Sequence, residues 1–273
     1  MMKSSDNDTA FAGTIPQLYD RYMVPLIFEP YAADIASRVA QLQPEQVLEL
    51  AAGTGAVTRH LARLLPPAVP IVATDLNQSM LDEAAAVGTD RAVTWRQADA
   101  QELPFPDGTF DVVVCQFGAM FFPDRAKAYA EARRVLRPGG RFLFNVWDRI
   151  AENEFADVVT GALRMRFPSY PPQFLARIPH GYHDPAVIRQ DLADGGFAGA
   201  PELATVSARS VAESARIPAF AYCQGTPLRS ELEARDASRL AEVTELAANA
   251  IAERFGTGRV DGKIQAHIVS TRR

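Results

Sequence analysis

The feature that most constrains this chain is a regular alternation of short apolar runs and helical patterns between residues 45 and 147. Most runs are continuously apolar, as expected for strands that helices cover on both faces. Such alternation predicts an α/β fold with a doubly wound, mainly parallel sheet and right-handed crossovers. The predicted strands are 46–51, 70–75, 92–97, 110–116 and 141–147, and the predicted helices are 56–65, 79–86 and 125–136.

The flanking sequences follow other patterns. Residues 15–42 form a predicted helical segment with breaks near Pro25 and Pro30, and the stretch after Trp147 is irregular and rich in aromatic residues. The remaining predicted elements are helices at 184–195 and 228–254 and strands at 202–207 and 263–270. We therefore expect a single domain, 1–273, with a cofactor-binding core at 45–148 and cap insertions at 149–183 and 211–258.

Charge and composition limit the possible partners. A formal net charge of −5 and a pI of about 5.5 give no general attraction to nucleic acid. The two cysteines, Cys115 and Cys223, are too far apart in sequence to suggest a disulfide framework or a zinc site. No signal peptide and no apolar run of about 20 residues is visible. We expect a soluble, cytoplasmic protein with no nucleic-acid or membrane partner; the sequence predicts no oligomeric state.

A glycine loop, Gly53-Thr-Gly55, joins the first predicted strand to its helix, which is a common way to hold a nucleotide cofactor. The dinucleotide fingerprint requires a third glycine where this chain has Thr58, which weakens the prediction of a pyrophosphate site. Asp75 ends the second predicted strand and can accept hydrogen bonds from both ribose hydroxyls. That acid serves a dinucleotide and a nucleoside equally well.

A second acid, Asp99, follows the third predicted strand and favours the nucleoside. Its carboxylate can accept a hydrogen bond from an adenine amino group, and the Ala100 N–H can reach a ring nitrogen. An adenine and ribose held by Asp75 and Asp99 leave the glycine loop for the group that follows the ribose. In S-adenosylmethionine this group is a sulfonium with an amino acid, and it carries no phosphate.

Four motifs, in order over about residues 45–148, resemble the class I S-adenosylmethionine-dependent methyltransferases, especially the type 11 branch that includes quinone-biosynthesis C-methyltransferases. They are "VLELAAGTG", "ATDLNQSML", "QADAQELPFPDGTFDVVVCQFGAMFFPD" and "EARRVLRPGGRFLFNVWD". The resemblance implies a Rossmann-like, seven-stranded sheet whose last strand, 263–270, runs antiparallel. One departure is the Ala51-Ala52 pair, where the family usually has a small residue or cysteine followed by glycine.

The resemblance also implies the role of each cofactor-binding residue. Ala51, Gly53 and Gly55 would lie against the methionine part, Asp75 on the ribose, Asp99 and Ala100 on the adenine edge, Leu76 and Met80 on the adenine ring, and Gln116 and Phe117 facing the methyl group. In the family, an N-terminal helix folds over the cofactor. Tyr19 and Tyr22 are expected to share one face of that helix, with Tyr22 as the preferred contact.

Methyl transfer from a sulfonium needs mainly alignment and desolvation, so a catalytic side chain is not obligatory. The candidate bases are His180 and His183, which are equally consistent with two polar loop residues without a role. No third ligand accompanies them, so no metal site is predicted. Apolar and aromatic residues predict a pocket for a small organic substrate; the candidates are Met120, Phe121, Trp147, Tyr170, Phe174 and Tyr182.

Three functions remain open at this point. The first is a methyltransferase acting on O, N or C of a small apolar or aromatic metabolite. The second is an NAD(P)-dependent oxidoreductase, which the missing third glycine and Asp99 disfavour. The third is a protein that binds the cofactor without transferring a methyl group.

Overall fold

The computed structural model describes residue 11 and residues 13–273, and its centre is a seven-stranded sheet of order β3-β2-β1-β4-β5-β7-β6. The strands are β1 Val47–Leu50, β2 Ile71–Asp75, β3 Thr94–Gln97, β4 Phe110–Gln116, β5 Leu136–Trp147, β6 Glu202–Ala212 and β7 Val260–Arg272. Strands β1 to β5 pair in parallel, and β7 runs antiparallel to both β5 and β6. The predicted fold class, including its antiparallel last strand, is confirmed.

Helices flank the sheet and fill its crossovers. The α-helices are α1 Ile15–Leu18, α2 Glu29–Gln41, α3 Ala56–Leu64, α4 Gln78–Val87, α5 Arg125–Val135, α6 Glu154–Arg166, α7 Phe174–Arg177, α8 Pro185–Asp194, α9 Arg216–Gln224, α10 Leu228–Asp236 and α11 Leu240–Phe255. A π-helix, Tyr19–Phe28, joins α1 to α2. The predicted helices at 56–65, 79–86 and 125–136 correspond to α3, α4 and α5 within one or two residues of each end.

The strand order reverses at β1, whose neighbours are β2 on one side and β4 on the other. Successive loops therefore diverge at the carboxyl ends of β1 and β4, and this opens a crevice of the kind that binds ligands in α/β proteins. Strand β1 is buried along its whole length, which explains why its sequence is apolar except at Glu49. The sheet thus places the glycine loop and the end of β4 at one site.

Several elements differ from their predicted bounds. Strand β5 begins at Leu136, so Pro138 and the two glycines lie inside the strand, where the pairing with β4 shifts register between Phe110 and Val112. Strands β6 and β7 extend beyond their apolar runs because they pair with each other over their full length. Helices α6 and α9 lie in segments that the sequence did not predict as helical.

The core is continuous across the whole described chain. Buried residues of the N-terminal helices, the sheet and the segments after β5 belong to one hydrophobic cluster. None of the helices in the described part of the chain is long and apolar enough to cross a membrane.

Candidate functional site

A cavity of about 270 Å³, here called the main cavity, lies at the carboxyl ends of β1, β2 and β4 and beside the loop after β3. All of the expected cofactor contacts except Gly55 and Tyr22 line it, and these are Ala51, Gly53, Asp75, Leu76, Met80, Asp99, Ala100, Gln116 and Phe117. Gly55 instead caps α3 in the left-handed conformation, φ 84°. The crevice and the predicted residues therefore coincide.

Asp75 is the fixed acid of the main cavity. The Gly53 N–H donates to its Oδ2 at 2.9 Å, and the Asn77 N–H donates to its Oδ1 at 2.8 Å. Burial raises the pKa of this carboxyl, and the hydrogen bonds from Asn77 and Gly53 oppose the rise. The side chain is thus held in place, and the N–H of the first loop glycine is already used in a hydrogen bond to Asp75.

The residue at the position of the missing third glycine, Thr58, binds a buried acid. Thr58 is fully buried on α3, and its hydroxyl donates to Oε2 of Glu49 at 2.6 Å. Glu49 is 2% exposed in the middle of β1, and burial raises its pKa to about 8. Glu49 also lines a small cavity together with Ala51, Gly53 and Gln116, which the main cavity shares. A buried carboxyl therefore stands directly behind the glycine loop.

The end of β4 is held by Asn145 of β5. The Phe117 N–H donates to the Asn145 side-chain oxygen at 2.9 Å, and the Asn145 amide donates to Gln116 Oε1 at 3.2 Å. Phe117 adopts a left-handed backbone, φ 50°, that non-glycine residues rarely adopt. Its ring lies parallel to Trp147, with 3.8 Å between ring centroids.

Two strand ends meet closely at Ala51 and Gly118. Ala51 also has a left-handed backbone, φ 51°, at the end of β1. A Cβ on Gly118 would collide with the Ala51 side chain and with Cys115 Sγ. The alanine pair in the glycine motif is therefore accommodated because the facing residue has no side chain.

A second cavity of about 50 Å³ adjoins the main cavity and shares Phe11, Tyr19, Phe117 and Phe121 with it. Four of the tentative substrate or base candidates line it, namely Phe121, Trp147, Phe174 and His180. Its wall is almost entirely apolar and aromatic. The geometry is that of a nucleoside-sized cavity with both polar and apolar lining that continues into an apolar, aromatic one.

The other tentative candidates do not line either cavity. Met120 is buried, and Tyr170 is 74% exposed beneath Arg235. Tyr182 is buried against Tyr129, with 3.2 Å between the two hydroxyl oxygens. His183 Nδ1 lies 2.9 Å from the His180 carbonyl oxygen. In the described chain, these four residues therefore contact other protein groups and do not reach either cavity.

The π-helix changes which tyrosine faces the site. The Glu29 N–H bonds to the Val24 carbonyl, so the turn is one residue longer than in an α-helix and residues four and five apart share a face. The face that begins at Tyr19 continues through Met23, Val24, Ile27 and Phe28, and all five line one of the cavities.

Tyr22 lies on another face of the π-helix. It packs edge-on against Phe220, with 5.1 Å between ring centroids, and does not line the cavities. The expectation that Tyr19 and Tyr22 share a face is wrong, because it assumed α-helical spacing.

The sequence reading also missed several lining residues. Phe11 and Asn77 line the main cavity, and Glu49 stands behind the loop. Glu49 had a visible signal, since a lone acid lies between Leu48 and Leu50 in a strand predicted to be covered on both faces. Phe11 had none, because it lies far from every motif in sequence.

Comparisons with known proteins agree with this geometry. Residues 48–144 match the type 11 methyltransferase domain model. The chain is 43% identical over 102 residues to the ubiquinone/menaquinone biosynthesis C-methyltransferase UbiE of Saccharophagus degradans, covering 36% of this chain and 41% of that protein. It is 44% identical over 103 residues to the protein of the same name from Teredinibacter turnerae, again covering 36% and 41%. The chain therefore spans about two fifths of the length of these relatives.

Solved structures extend the likeness of fold to most of the chain. The YcgJ protein of Bacillus subtilis is 18% identical with a TM-score of 0.54, covering 89% of this chain and 98% of that one. A SAM-dependent methyltransferase from Thermotoga maritima is 15% identical with a TM-score of 0.52, covering 94% and 96%. The fold is that of the class I S-adenosylmethionine-dependent methyltransferases. Within it, residues 48–144 are similar to the type 11 methyltransferase domain family.

Proposed function

We propose that this protein transfers a methyl group from S-adenosylmethionine to O, N or C of a small apolar or aromatic metabolite. The observation that carries the proposal is the charge of the main cavity. Its described lining contains two carboxylates, Asp75 and Asp99, and no lysine or arginine. Such a lining suits a ligand with cationic sulfonium and ammonium groups and disfavours the anionic pyrophosphate of a dinucleotide.

The residues present fit this cofactor. Asp75 is an ionisable acceptor for the ribose hydroxyls, Asp99 and the Ala100 N–H are placed for the adenine edge, and Leu76 and Met80 offer an apolar surface to the ring. Glu49 provides a buried carboxyl behind the glycine loop, and an ammonium group beside it would favour the ionised form. When bound, the cofactor supplies a methyl group already activated by the sulfonium.

The protein's own contribution is alignment and exclusion of water. Phe117 lines both the main and the second cavity, Gln116 lines the main cavity next to it, and the Asn145 hydrogen bonds fix both. The stacked rings of Phe117 and Trp147 form an apolar wall that keeps water from the reacting groups. A rigid boundary of this kind favours in-line approach of the acceptor atom.

The similarity to the relatives does not identify the methyl acceptor of this protein. Their name specifies carbon methylation in quinone biosynthesis, but the matched segment supplies only Phe117 and Phe121 to the second cavity. The NAD(P)-dependent alternative is not favoured, because Gly53 donates its N–H to Asp75 and no cationic side chain lines the main cavity in the described chain.

A thermal-shift titration tests the cofactor. S-adenosylhomocysteine at about a hundred times its dissociation constant adds ~2.7 kcal/mol of stability, which raises Tm by roughly 5–10 °C for a domain of this size. The nicotinamide dinucleotide should cause no shift. Asp75→Ala should weaken binding at least about tenfold, because the ribose loses a charged acceptor and Gly53 loses its partner.

The matched control is Asp82→Ala, which removes an exposed acid of α4 that does not line the cavity. A shift with the dinucleotide alone would overturn the proposal. Transfer of labelled methyl to a metabolite pool then separates an enzyme from a protein that only binds the cofactor. Binding with no transfer to any member of a broad pool would favour the latter.

A further inference from the structure

His180 is the one histidine that lines the second cavity in the described chain, and it is only 6% exposed. Its Nδ1 lies 2.9 Å from the backbone carbonyl oxygen of Asp148. A carbonyl oxygen only accepts hydrogen bonds, so Nδ1 carries the proton and Nε2 carries a lone pair. No described residue donates to Nε2, which leaves it as the unused polar atom of the ring.

The contacts of Asp148 fix the position of His180. Asp148 follows β5, and its own carboxylate accepts from the Gln265 side chain at 2.6 Å and lies 3.4 Å from His267 Nε2. These contacts hold the loop whose carbonyl orients the imidazole. The His180 ring also lies beside Trp147, with 6.0 Å between ring centroids. The lone pair of Nε2 is therefore a preorganised acceptor at an aromatic wall.

The imidazole is also neutral. Burial lowers the pKa of His180 to about 4, and His183 adds to the effect while Asp148 opposes it. No lysine, arginine, aspartate or glutamate lines the second cavity among the described residues. Of its other polar groups, the Thr226 hydroxyl is already used, since it donates to the Tyr222 carbonyl and accepts from the Leu228 N–H. A charged substrate would have no counterion here.

We propose that the methyl acceptor is an uncharged aromatic compound whose ring packs against Phe117 and Trp147 and whose O–H or N–H group donates a hydrogen bond to Nε2 of His180. This inference rests on the proposed function and narrows its substrate class. A buried acceptor that is left unpaired is costly, so the cavity discriminates against aromatic compounds that lack a donor. His180 is thereby a specificity-determining residue that contacts the substrate.

The test uses the full chain saturated with S-adenosylhomocysteine and two matched pairs of probes. The O–H arm compares 1-naphthol with 1-methoxynaphthalene, and the N–H arm compares indole with 1-methylindole. We expect the donor-bearing member of one pair to bind about fivefold tighter or more by calorimetry, the pair showing which donor is used. His180→Phe should reduce this ratio to about one, whereas His60→Phe, a histidine that lines neither cavity, should leave it unchanged.

A second measurement needs no variant. Nitrogen-15 NMR of the wild-type histidines should show an unprotonated Nε2 in His180 whose resonance shifts when the donor probe is added. Ratios near one for both pairs in the wild-type protein, or no binding by any of the four probes, would overturn the inference. Failure of S-adenosylhomocysteine to bind would instead refute the proposed function, so the two failures are distinct.

Discussion

At the scale of single residues, Glu49 is the group whose charge matters most to a bound ligand. Its carboxyl is buried behind the glycine loop, and its pKa of about 8 keeps it largely protonated at neutral pH in the free protein. A ligand ammonium beside it favours the ionised form. Cofactor binding should therefore release a proton from Glu49, and affinity should depend on pH.

We predict that the affinity for S-adenosylhomocysteine falls roughly tenfold from about pH 8.5 to about pH 6.5, because ionising Glu49 below its pKa consumes binding energy. Glu49→Gln should bind more weakly at high pH and show a flat profile. Calorimetry at several pH values measures both, with Glu253→Gln, an exposed acid of α11, as the control. A wild-type profile as flat as that of the variant contradicts the assignment.

The same shift has a consequence for stability. The folded pKa of Glu49 lies above its ordinary value of 4.5, so its favourable contribution is complete below that value and is lost as pH rises through about 8. The free Glu49→Gln protein should therefore gain stability relative to wild type between these two pH values. Urea unfolding of both proteins at pH 5 and at pH 9 measures how the difference between their free energies of unfolding changes with pH.

The sequence predicted much of the site at this scale because the motifs mark strand ends. Asp75 ends β2 and Asp99 follows β3, and parallel strands bring their carboxyl ends to one edge. Tyr170 and Tyr182 show the limit of such reasoning. Aromatic content in a segment predicts an apolar environment for its rings. The contacts with Tyr129 for Tyr182 and with Arg235 for Tyr170, both distant in sequence, determine where each ring actually lies.

At the scale of elements, the π-helix before α2 determines which side chains reach the two cavities. Its lengthened turn brings Tyr19 to both cavities and turns Tyr22 toward Phe220. The sequence predicted a break near Pro25, but this proline lies inside the π-helix, which packs against β6 and α9. Hydrophobic periodicity assumes one helical repeat and cannot reveal a change of register.

A pair of variants distinguishes the two registers. Tyr19→Ala should weaken binding of S-adenosylhomocysteine about tenfold, because a half-buried ring is removed from the cavity wall and from its stack on Phe28. Tyr22→Ala should change the dissociation constant less than about twofold, since its ring packs away from the cavities. Equal losses of affinity in both variants, measured by calorimetry on folded protein, would contradict the π-helical register and support an α-helical one.

At the scale of the whole molecule, the parallel core strands, helix α8 and the antiparallel last strand were predictable, whereas the bounds of β6 and β7 and helices α6 and α9 were not. Those later elements are stabilised by pairing and packing with partners that are distant in sequence, such as β6 with β7. The hydrophobic cluster nevertheless runs through all of them without a division.

We predict that the chain unfolds as one cooperative unit. Calorimetry should show a single transition with an enthalpy of about 190 kcal/mol near 60 °C, from about 0.7 kcal/mol per residue over 273 residues. S-adenosylhomocysteine should move the whole transition upward. Two transitions, only one of which responds to the ligand, would mean that the segments after β5 fold independently of the core.

The walls of the second cavity come almost entirely from outside residues 48–144: the N-terminal segment, Trp147 and the segments beyond it. Most of the main cavity's lining lies within residues 48–144, whereas only Phe117 and Phe121 of that core line the second cavity. Similarity in the core therefore does not by itself specify the proposed acceptor. A directed-evolution library confined to the outer stretches, with Phe11 and Tyr19 kept because they also line the main cavity, would explore new acceptors with little change in cofactor affinity.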